Sequence, residues 1–501
     1  RIGSLSLELQ ELRSNVVGAQ LGQQAISTSL KAGAIGFAIV AVFMMVLYLI
    51  PGVAAVIALA LYVGLVLIML TAFDITLTLP GVAGIILSVG MAVDANVIIF
   101  TRIKEEIGLG HSVKSAIKAG FSKALSAILD GNITTLIAAA VLYFRGSGTV
   151  KGFASTLAIG IVLSMFTALF ITKGALYALY AVGFEAPKFY GTKKDGKIIN
   201  FLGKKNICFI LSIAVIVAGW AGMALHKGQT GYVLNYGMDF TGGTSTNVTF
   251  NEDMSLDDIS AKVVPVVSKI TGDADVQTQK VAGTNEVIIK TKTLDVEQRQ
   301  QLEDAMVENF GVDAEKITAE SISGAVSTEM KKDAVWAVTI ATVLMLLYIW
   351  FRFKDIRFAA SAILALVHDV LVVVTFYSLA KWSVGSTFIA CMLTIVGYSI
   401  NATIVIFDRI RENLALKKAG SKQTLEEIVN LSITQTFTRS INTSLTTFIM
   451  VFVLFLLGVS SIREFALPLM VGIVCGTYSS VCVTGALWYV LTTRKQKKAE
   501  K

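Results

Sequence analysis

The sequence predicts a polytopic α-helical membrane protein in which one helical bundle is built twice in tandem, with a small α+β domain between the two copies. Hydrophobic residues make up 54% of the 501 residues and charged residues only 16%, which leaves too little polar surface for a soluble protein of this length. Apolar stretches long enough to cross a bilayer recur along the chain, and two blocks of sequence recur in the same order.

Eleven membrane-spanning helices are predicted from the apolar stretches. They lie at residues 33–50, 52–72, 80–101, 124–144, 152–181, 206–226, 333–351, 358–380, 386–408, 433–457 and 465–491. Each holds roughly the 20 residues that a helix needs to cross the hydrocarbon core. Pro51-Gly52 predicts a tight turn between the first two spans.

The basic residues predict the orientation of the chain. The net charge is +8, and lysines and arginines crowd four connections: 186–205, 352–357, 409–422 and the tail 494–501. Eleven crossings put all four on one side, which the positive-inside rule makes cytoplasmic. The C-terminus is therefore expected in the cytoplasm, and residues 1–31 and 230–330 outside. Because the positive charge belongs to these loops, no nucleic-acid partner is expected.

Cysteine and histidine usage argues against redox or metal chemistry. Cys208, Cys391, Cys475 and Cys482 all lie in apolar stretches without CxxC spacing, and the three histidines are scattered. The sequence also lacks a phosphate-binding loop, a hydrolase nucleophile elbow and an HExxH motif. We therefore expect neither a metal nor a cofactor, expect that the protein is not an enzyme, and expect an ion gradient as any driving force.

The polar region 230–330 predicts a small α+β domain. Thr244–Phe250 alternates like a strand, and Leu256–Ile270 has helical spacing after the cap-like Ser255. The rest of the pattern is a hairpin of 276–281 with 286–291 around Ala282-Gly283, a helix at 296–310 and a strand at 317–323. This βαββαβ order is that of a ferredoxin-like sandwich.

An internal repeat relates the two halves of the membrane region. Residues 90–106 (GMAVDANVIIFTRIKEE) match 397–413 (GYSINATIVIFDRIREN), and 130–135 (DGNITT) match 442–447 (NTSLTT). Both copies enter the membrane in the same direction, so they are parallel repeats related by an axis along the membrane normal. Transporters place coupling sites between such repeats.

Asp94 is the leading candidate for a coupling site, because it lies near the middle of an apolar span. A carboxylate there costs about 3 kcal/mol and is functional by default, although a polar residue paired inside the bundle is the alternative. Asn96 and Asn401 lie at the same depth, and Arg439 and Thr443 share one helix face. Arg439 is the natural partner of the acid, or else a snorkelling anchor at the membrane boundary.

Further polar residues form a secondary group that is either a proton relay or a set of helix–helix hydrogen bonds. The sequence leaves both readings open. The group comprises Asp130, Asn132, Thr134, Thr135, Asp369 next to His368, and Asn442.

These motifs carry a resemblance to a known family. Leu79-Pro80-Gly81 through 90–106, DGNITT and VKGFA (150–154) resemble the C-terminal half of SecD, while YGMDFTGGT (236–244), His368-Asp369, TIVGYSIN (394–401) and IVIFDRIREN (404–413) resemble SecF. Their order resembles fused SecDF, a member of the resistance-nodulation-division superfamily, over essentially the whole chain.

The resemblance implies a division of the chain into seven parts. They are a remnant of the SecD extracytoplasmic domain at 1–31, a SecD-like bundle at 32–185, a cytoplasmic linker at 186–205, a first SecF-like helix at 206–229, the extracytoplasmic domain at 230–330, a SecF-like bundle at 331–493 and a basic tail at 494–501. Most of the SecD domain and the helix before it are expected to be absent from this sequence.

The function implied is that of an accessory subunit of the Sec translocase in the bacterial cytoplasmic membrane. It would use the proton or sodium motive force to assist preprotein export on the outer side. The implied partners are the Sec channel, its associated insertase, unfolded preproteins, protons or sodium ions and the lipid bilayer. The alternatives are an exporter of lipids or small molecules on the same scaffold, and a passive scaffold for the translocon and insertase.

The resemblance also assigns the site residues and exposes one departure. Asp94, Arg439 and Thr443 match the family's coupling residues. Where the family motif has aspartate after GYSIN, this chain has Ala402. The second intramembrane carboxylate is therefore missing, and we expect ion coupling to be impaired.

Overall fold

A computed structural model describes most of the chain. The described residues are 13–16, 19–146, 148–191, 197–273, 276–281, 284–417 and 423–499. Several sequence predictions fall outside these ranges: residues 1–12 of the N-terminal segment, Lys193 and Lys194 of the linker, the Ala282-Gly283 turn, Lys418 and Lys422 of the basic loop, and residues 500–501 of the tail.

Long helices make up most of the described chain. The helices are α1 Ala19–Tyr48, α2 Ile50–Ala72, α3 Leu79–Gly108, α4 Val113–Arg145, α5 Gly148–Phe166, α6 Thr172–Ala181, α7 Lys205–Thr230, α8 Met238–Thr241, α9 Leu256–Asp258, α10 Val264–Thr271, α11 Val296–Phe310, α12 Gly324–Phe353, α13 Ile356–Ala380, α14 Ser386–Leu416, α15 Leu425–Leu457, α16 Ser460–Tyr478 and α17 Gly485–Ala499. Single π-helical segments join α5 to α6, α9 to α10 and α16 to α17, at Thr167–Ile171, Ile259–Val263 and Ser479–Thr484.

The membrane-spanning pattern predicted from the sequence is confirmed. Within the described ranges, 11 helices of 23–34 residues are long and apolar enough to cross a bilayer. The break between the first two lies earlier than predicted. Leu49 takes the positive φ of 54°, and Pro51 belongs to the first turn of α2. Proline suits that position because its missing N–H has no partner in a first turn.

The larger unit comprises residues 29–234, 336–382 and 387–501. Within it, helices of one copy of the repeat pack against helices of the other. Gly90 of α3 lies against α15, where an added Cβ would come 3.1 Å from the Cα of Thr447. The equivalent Gly397 of α14 lies against α4, 3.0 Å from the Cα of Thr135 by the same measure. Each glycine therefore lets its helix approach a helix of the other copy closely.

The smaller unit holds a five-stranded antiparallel sheet. Its strands are β1 Arg13–Val16, β2 Gly243–Thr249, β3 Gln277–Lys280, β4 Glu286–Thr291 and β5 Ile317–Ile322, in the order β1-β5-β2-β4-β3. From β2 to β5 this is the ferredoxin-like order predicted for 230–330, with α9–α10 and α11 as the two helices. The helices and the sheet enclose an apolar core that includes Val248, Val267, Ile289, Leu302 and Met306.

The described residues of the N-terminal segment 1–31 contribute one strand to the small sheet and the start of α1. Arg13 pairs with Ile322 at the edge of the sheet, and α1 begins at Ala19 within the segment. Sequence reasoning missed this strand because it is only four residues long and its partner lies some 300 residues away.

The start of α11 offers a test of the small unit. Asp295 accepts a hydrogen bond from the backbone N–H of Gln298 at 2.8 Å, and the Gln298 side chain accepts one from the Asp295 N–H at 3.3 Å, which completes a capping box. Asp295→Ala is expected to destabilise this helix by about 1 kcal/mol. Hydrogen–deuterium exchange of 296–310 should accelerate accordingly. Asp257→Ala, at an exposed first-turn position, is the matched control and should leave that segment unchanged.

Candidate ion-coupling site

Helices α3, α14 and α15 bring the principal predicted residues to one cavity. The cavity is small, with a volume of about 10 Å³, and its lining residues are Asp94, Tyr398, Asn401, Ala402, Val405, Arg439, Ser440 and Thr443. Asp94 belongs to the first copy of the repeat and the remaining seven to the second. The site therefore lies between the copies, as the parallel-repeat argument predicts.

Asp94 is held by the residue that aligns with it in the other copy. The Asn401 Nδ2 donates a hydrogen bond to Asp94 Oδ2 at 2.5 Å, and only 9% of Asp94 is exposed. Gly131 of α4 makes room for the amide, since a Cβ at Gly131 would overlap Asn401. The Asn401 Oδ1 is buried and has no hydrogen-bond partner within the described residues. This carbonyl oxygen is the atom of the amide that lies nearest to Gly131.

Arg439 shares the cavity with Asp94 without forming a contact ion pair with it. Arg439 is 9% exposed, and its guanidinium acts on Asp94 electrostatically. Within the described residues, no guanidinium nitrogen of Arg439 lies within 4.0 Å of an Asp94 carboxylate oxygen. Sequence reasoning left a snorkelling anchor as the alternative, and the structure instead buries the side chain beside the acid. The pair is thus arranged for an interaction that a bound ion or a small movement can strengthen or weaken.

Ala402 lines the same cavity as Arg439. An aspartate at this position, which the resemblance implies, would face the guanidinium from α14. In this chain a methyl group takes its place, so the site holds one carboxylate and one guanidinium. Thr443 completes this wall, and its hydroxyl donates to the Ser440 carbonyl of its own helix at 3.1 Å.

Asn96 does not belong to the cavity. Its Oδ1 accepts a hydrogen bond from Thr172 of α6 at 2.9 Å. Two residues along a helix are about 200° apart, so Asn96 points away from the face that carries Asp94. The sequence prediction placed it at the right depth and on the wrong face.

Asp130 makes the helix–helix contacts of one of its two readings. Its carboxylate accepts hydrogen bonds from Arg352 Nε at 2.6 Å and from the Tyr348 hydroxyl at 2.7 Å, both on α12. Arg352 also lies 3.5 Å from Asp408 of α14. Asp130 therefore joins the two copies through a helix–helix ion pair, and it lies outside the Asp94 cavity.

The other members of the secondary group also make helix contacts. Asn132 donates to the Ile128 carbonyl and Thr134 to the Gly131 carbonyl of their own helix, at 2.8 and 2.7 Å. Thr135 donates to the Gly397 carbonyl of α14 at 3.3 Å. Asn442 donates to the Tyr48 hydroxyl at 3.1 Å.

Asp369 is the centre of a separate buried network. Its carboxylate is fully buried and accepts hydrogen bonds from Ser399 at 2.5 Å, Ser479 at 2.8 Å and Cys475 at 3.3 Å, with the His368 Nδ1 at 3.0 Å. The donor atoms of His368, Asp369 and Cys475 lie within 4.8 Å of one another, a spacing that a metal ion could bridge. The hydrogen bonds satisfy both carboxylate oxygens of Asp369 and link α13, α14 and α16, while the His368 Nε2 is buried without a hydrogen-bond partner within the described residues.

Comparison with known proteins decides the family. The sequence matches the family described as "Protein export membrane protein SecD/SecF, C-terminal" over residues 3–182 and 302–494, which is most of the chain. The chain belongs to the SecD/SecF family. The two matched segments correspond to the two copies of the repeat.

Fused SecDF proteins match the whole chain. The chain is 37% identical in sequence to the protein translocase subunit SecDF of Bacillus subtilis, over 99% of this chain and 68% of that protein. It is also 37% identical to the protein translocase subunit SecDF of Thermus thermophilus, over 100% of this chain and 66% of that protein. The chain thus spans about two thirds of the length of these relatives.

A solved SecDF structure has the same fold. The crystal structure of SecDF from Thermus thermophilus, titled a translocon-associated membrane protein, superposes with a TM-score of 0.86 at 35% identity. The superposition covers 96% of this chain and 64% of that one. The SecDF arrangement of spans around a two-copy membrane region is therefore present here.

Sequence reasoning missed the tyrosines of this SecD/SecF site. Tyr398 lines the cavity, and its hydroxyl donates to Thr447 at 3.3 Å. Tyr48 contacts Asn442, and Tyr348 contacts Asp130. Each of these last two pairs joins one copy to the other. Leu47-Tyr48 lies at the C-terminal end of α1 and Leu347-Tyr348 near that of α12, so extending the repeat alignment to these two helices was the signal that could have found both tyrosines.

Proposed function

We propose that this chain is the membrane region of an accessory Sec translocase subunit that couples a proton or sodium gradient to protein export. The observation that carries the proposal is the cavity in which Asp94 of one copy and Arg439 of the other lie together, buried and without a contact ion pair. An acid that gains or loses a proton or ion there changes the net charge facing Arg439. The two copies then favour different arrangements. The work is transport, and no enzymatic step is needed.

The names of the relatives, protein translocase subunits, support the Sec channel and preproteins among the partners that we propose, and the family resemblance alone suggests the insertase and the location. The partners are the Sec channel, its insertase and unfolded preproteins, and the location is the bacterial cytoplasmic membrane. Residues 1–31 and 230–330 would lie outside and the basic tail inside. The distribution of lysines and arginines supports this orientation.

Ala402 favours a second candidate, a passive scaffold for the translocon and insertase. With alanine beside Arg439, the cavity has lost the acid that the family resemblance places there. An exporter of lipids or small molecules has no comparable support in the described residues.

Ala402→Asp separates the two candidates. The full chain is reconstituted in liposomes, and ion flux is followed with a pH-sensitive dye while a pH or sodium gradient is imposed. Under the coupling proposal, Ala402→Asp raises flux at least about tenfold, because a second titratable carboxylate then faces Arg439. Ala402→Asn, which has the same shape without the charge, is the matched control and should stay at the level of the starting chain.

The outcomes are distinct. A gain with aspartate alone supports ion coupling and identifies the ion by the gradient that drives it. Equal flux for the alanine, asparagine and aspartate chains would overturn coupling through this cavity and favour the scaffold.

A further inference from the structure

Four charged residues at the C-terminal ends of α3 and α14 join the two copies. Arg102 contacts Glu105 of its own helix at 3.1 Å and Glu412 of α14 at 2.9 Å. Arg409 contacts Glu412 of its own helix at 3.2 Å and also Glu105 of α3. Each arginine thus binds one glutamate on its own helix and one on the other copy. These four residues are called the arginine–glutamate ring below.

The ring follows from the internal repeat. Arg102 aligns with Arg409, and Glu105 aligns with Glu412. In both contacts between the copies, the arginine of one copy therefore pairs with the equivalent glutamate of the other. The side chains are largely buried, with exposures of 17% and 16% on α3 and 11% and 35% on α14. Two positive and two negative charges balance at this site. Partly buried pairs that form a network resist separation more than isolated surface pairs do.

The ring lies close to the coupling site along the same helices. Arg102 follows Asp94 by eight residues, about 12 Å along α3. Arg439 experiences the charges of Arg102 and Arg409 through space. The ring occupies the end of the α3–α14 pair that sequence analysis assigns to the cytoplasmic side.

The paired arrangement allows the ring to open without leaving a charge unpaired. If α3 and α14 move apart, the two contacts between copies break, while Arg102 keeps Glu105 and Arg409 keeps Glu412 on its own helix. No charge is left without a partner, so the large penalty for an unpaired buried charge does not arise. Such an element has two defined states, closed with crossed pairs and open with pairs within each helix.

We propose that the arginine–glutamate ring is a closure between the two copies. Its opening admits water and ions to the Asp94–Arg439 cavity from the end of α3 and α14. Glu105 and Glu412 are positioning residues, because they act through the arginines and do not line the cavity. This inference rests on the proposed ion-coupling function, and it adds the place where access to the site is controlled.

Charge exchange within one helix tests the ring without changing composition or net charge. The variant Arg102→Glu with Glu105→Arg keeps an ion pair within α3 but makes both contacts to α14 repulsive. Adding Arg409→Glu with Glu412→Arg restores attraction across the copies. Arg411→Gln is the control, since Arg411 lies on the same turn of α14 and its ion pair is with Asp408 of its own helix.

Two measurements on the full chain in liposomes distinguish closure from a merely structural role. The first is the electron–electron distance between spin labels at Leu109 and Leu416, which follow the ring and are both 71% exposed, in a chain whose four cysteines have been replaced. The second is passive proton leak. The one-helix exchange should lengthen the distance and raise the leak about tenfold. The two-helix exchange should return both to within about twofold, and Arg411→Gln should change neither.

Several results would overturn the proposal. An unchanged distance and leak in the one-helix exchange would remove the closure. A longer spin-label distance with an unchanged proton leak in the one-helix exchange would show that the ring has only a structural role. The same conclusion would follow if the two-helix exchange folded but did not restore the leak. The distance arm does not depend on ion coupling. A loss of coupling through Ala402 or Asp94 is therefore read separately from a failure of the ring.

Discussion

Replacing Asp94 with asparagine is expected to reduce gradient-driven ion flux at least about tenfold in the Ala402→Asp chain. Among the described residues, Asp94 is the one acid that lines the cavity, and it shares that space with Arg439. Asparagine keeps the shape and the hydrogen-bonding capacity toward Asn401 but cannot carry the charge. The charge seen by Arg439 then no longer depends on proton or ion binding at residue 94.

The measurement is initial flux in liposomes with an imposed pH or sodium gradient. The matched control is Asp74→Asn, an identical substitution at an exposed position between α2 and α3. Asp74 has the positive φ of 49°, which asparagine also tolerates, so the control should fold and transport normally. Equal flux in the Ala402→Asp chain with and without Asp94→Asn would exclude Asp94 as the coupling acid.

Removing the guanidinium of Arg352 is expected to destabilise the membrane region by about 3–5 kcal/mol. Asp130 is 5% exposed, and it accepts its shortest hydrogen bond, 2.6 Å, from Arg352. Arg352→Met fills similar volume but leaves the carboxylate of Asp130 with only hydroxyl donors. The free energy of unfolding in detergent, followed by a thermal or denaturant transition, measures the loss.

A double variant separates the missing ion pair from lost packing. Arg352→Met with Asp130→Asn removes both charges and should recover most of the stability, because no buried charge is left unpaired. Arg145→Met, an exposed arginine in the last turn of α4, is the matched control and should change stability by less than about 0.5 kcal/mol. Equal stability of the Arg352→Met chain and the unsubstituted chain would show that Asp130 needs no counter-charge.

Much of the architecture could be predicted because its signals are local. A run of about twenty apolar residues marks a span wherever the rest of the chain lies. The strands and helices of 230–330 follow from alternation and capping within a few residues. The repeat is visible as two aligned blocks, and residues of both copies line the cavity that holds Asp94 and Arg439.

The contacts inside the membrane could not be predicted to the same degree. Asn401 reaches Asp94 from 307 positions away, and Arg352 reaches Asp130 from 222. Such contacts depend on how each helix is rotated about its own axis. Successive residues are about 100° apart around a helix, so neighbouring residues lie on different faces. For this reason Asn96, only two residues from Asp94, lies at the right depth and contacts Thr172 instead.

The sequence by itself determined that this protein is a membrane protein of two parallel repeats with a ferredoxin-like domain between them. It also determined that one copy offers an acid and the other a base. Only the tertiary structure decided that Asp94 meets Asn401 while Arg439 stays in reach without a contact pair. It likewise decided that Asp130 is engaged by Arg352 and that the arginines and glutamates of the repeat cross between copies. The physical reason is that apolar length and periodicity are properties of a segment, whereas a charge finds its partner only through the packing of distant helices.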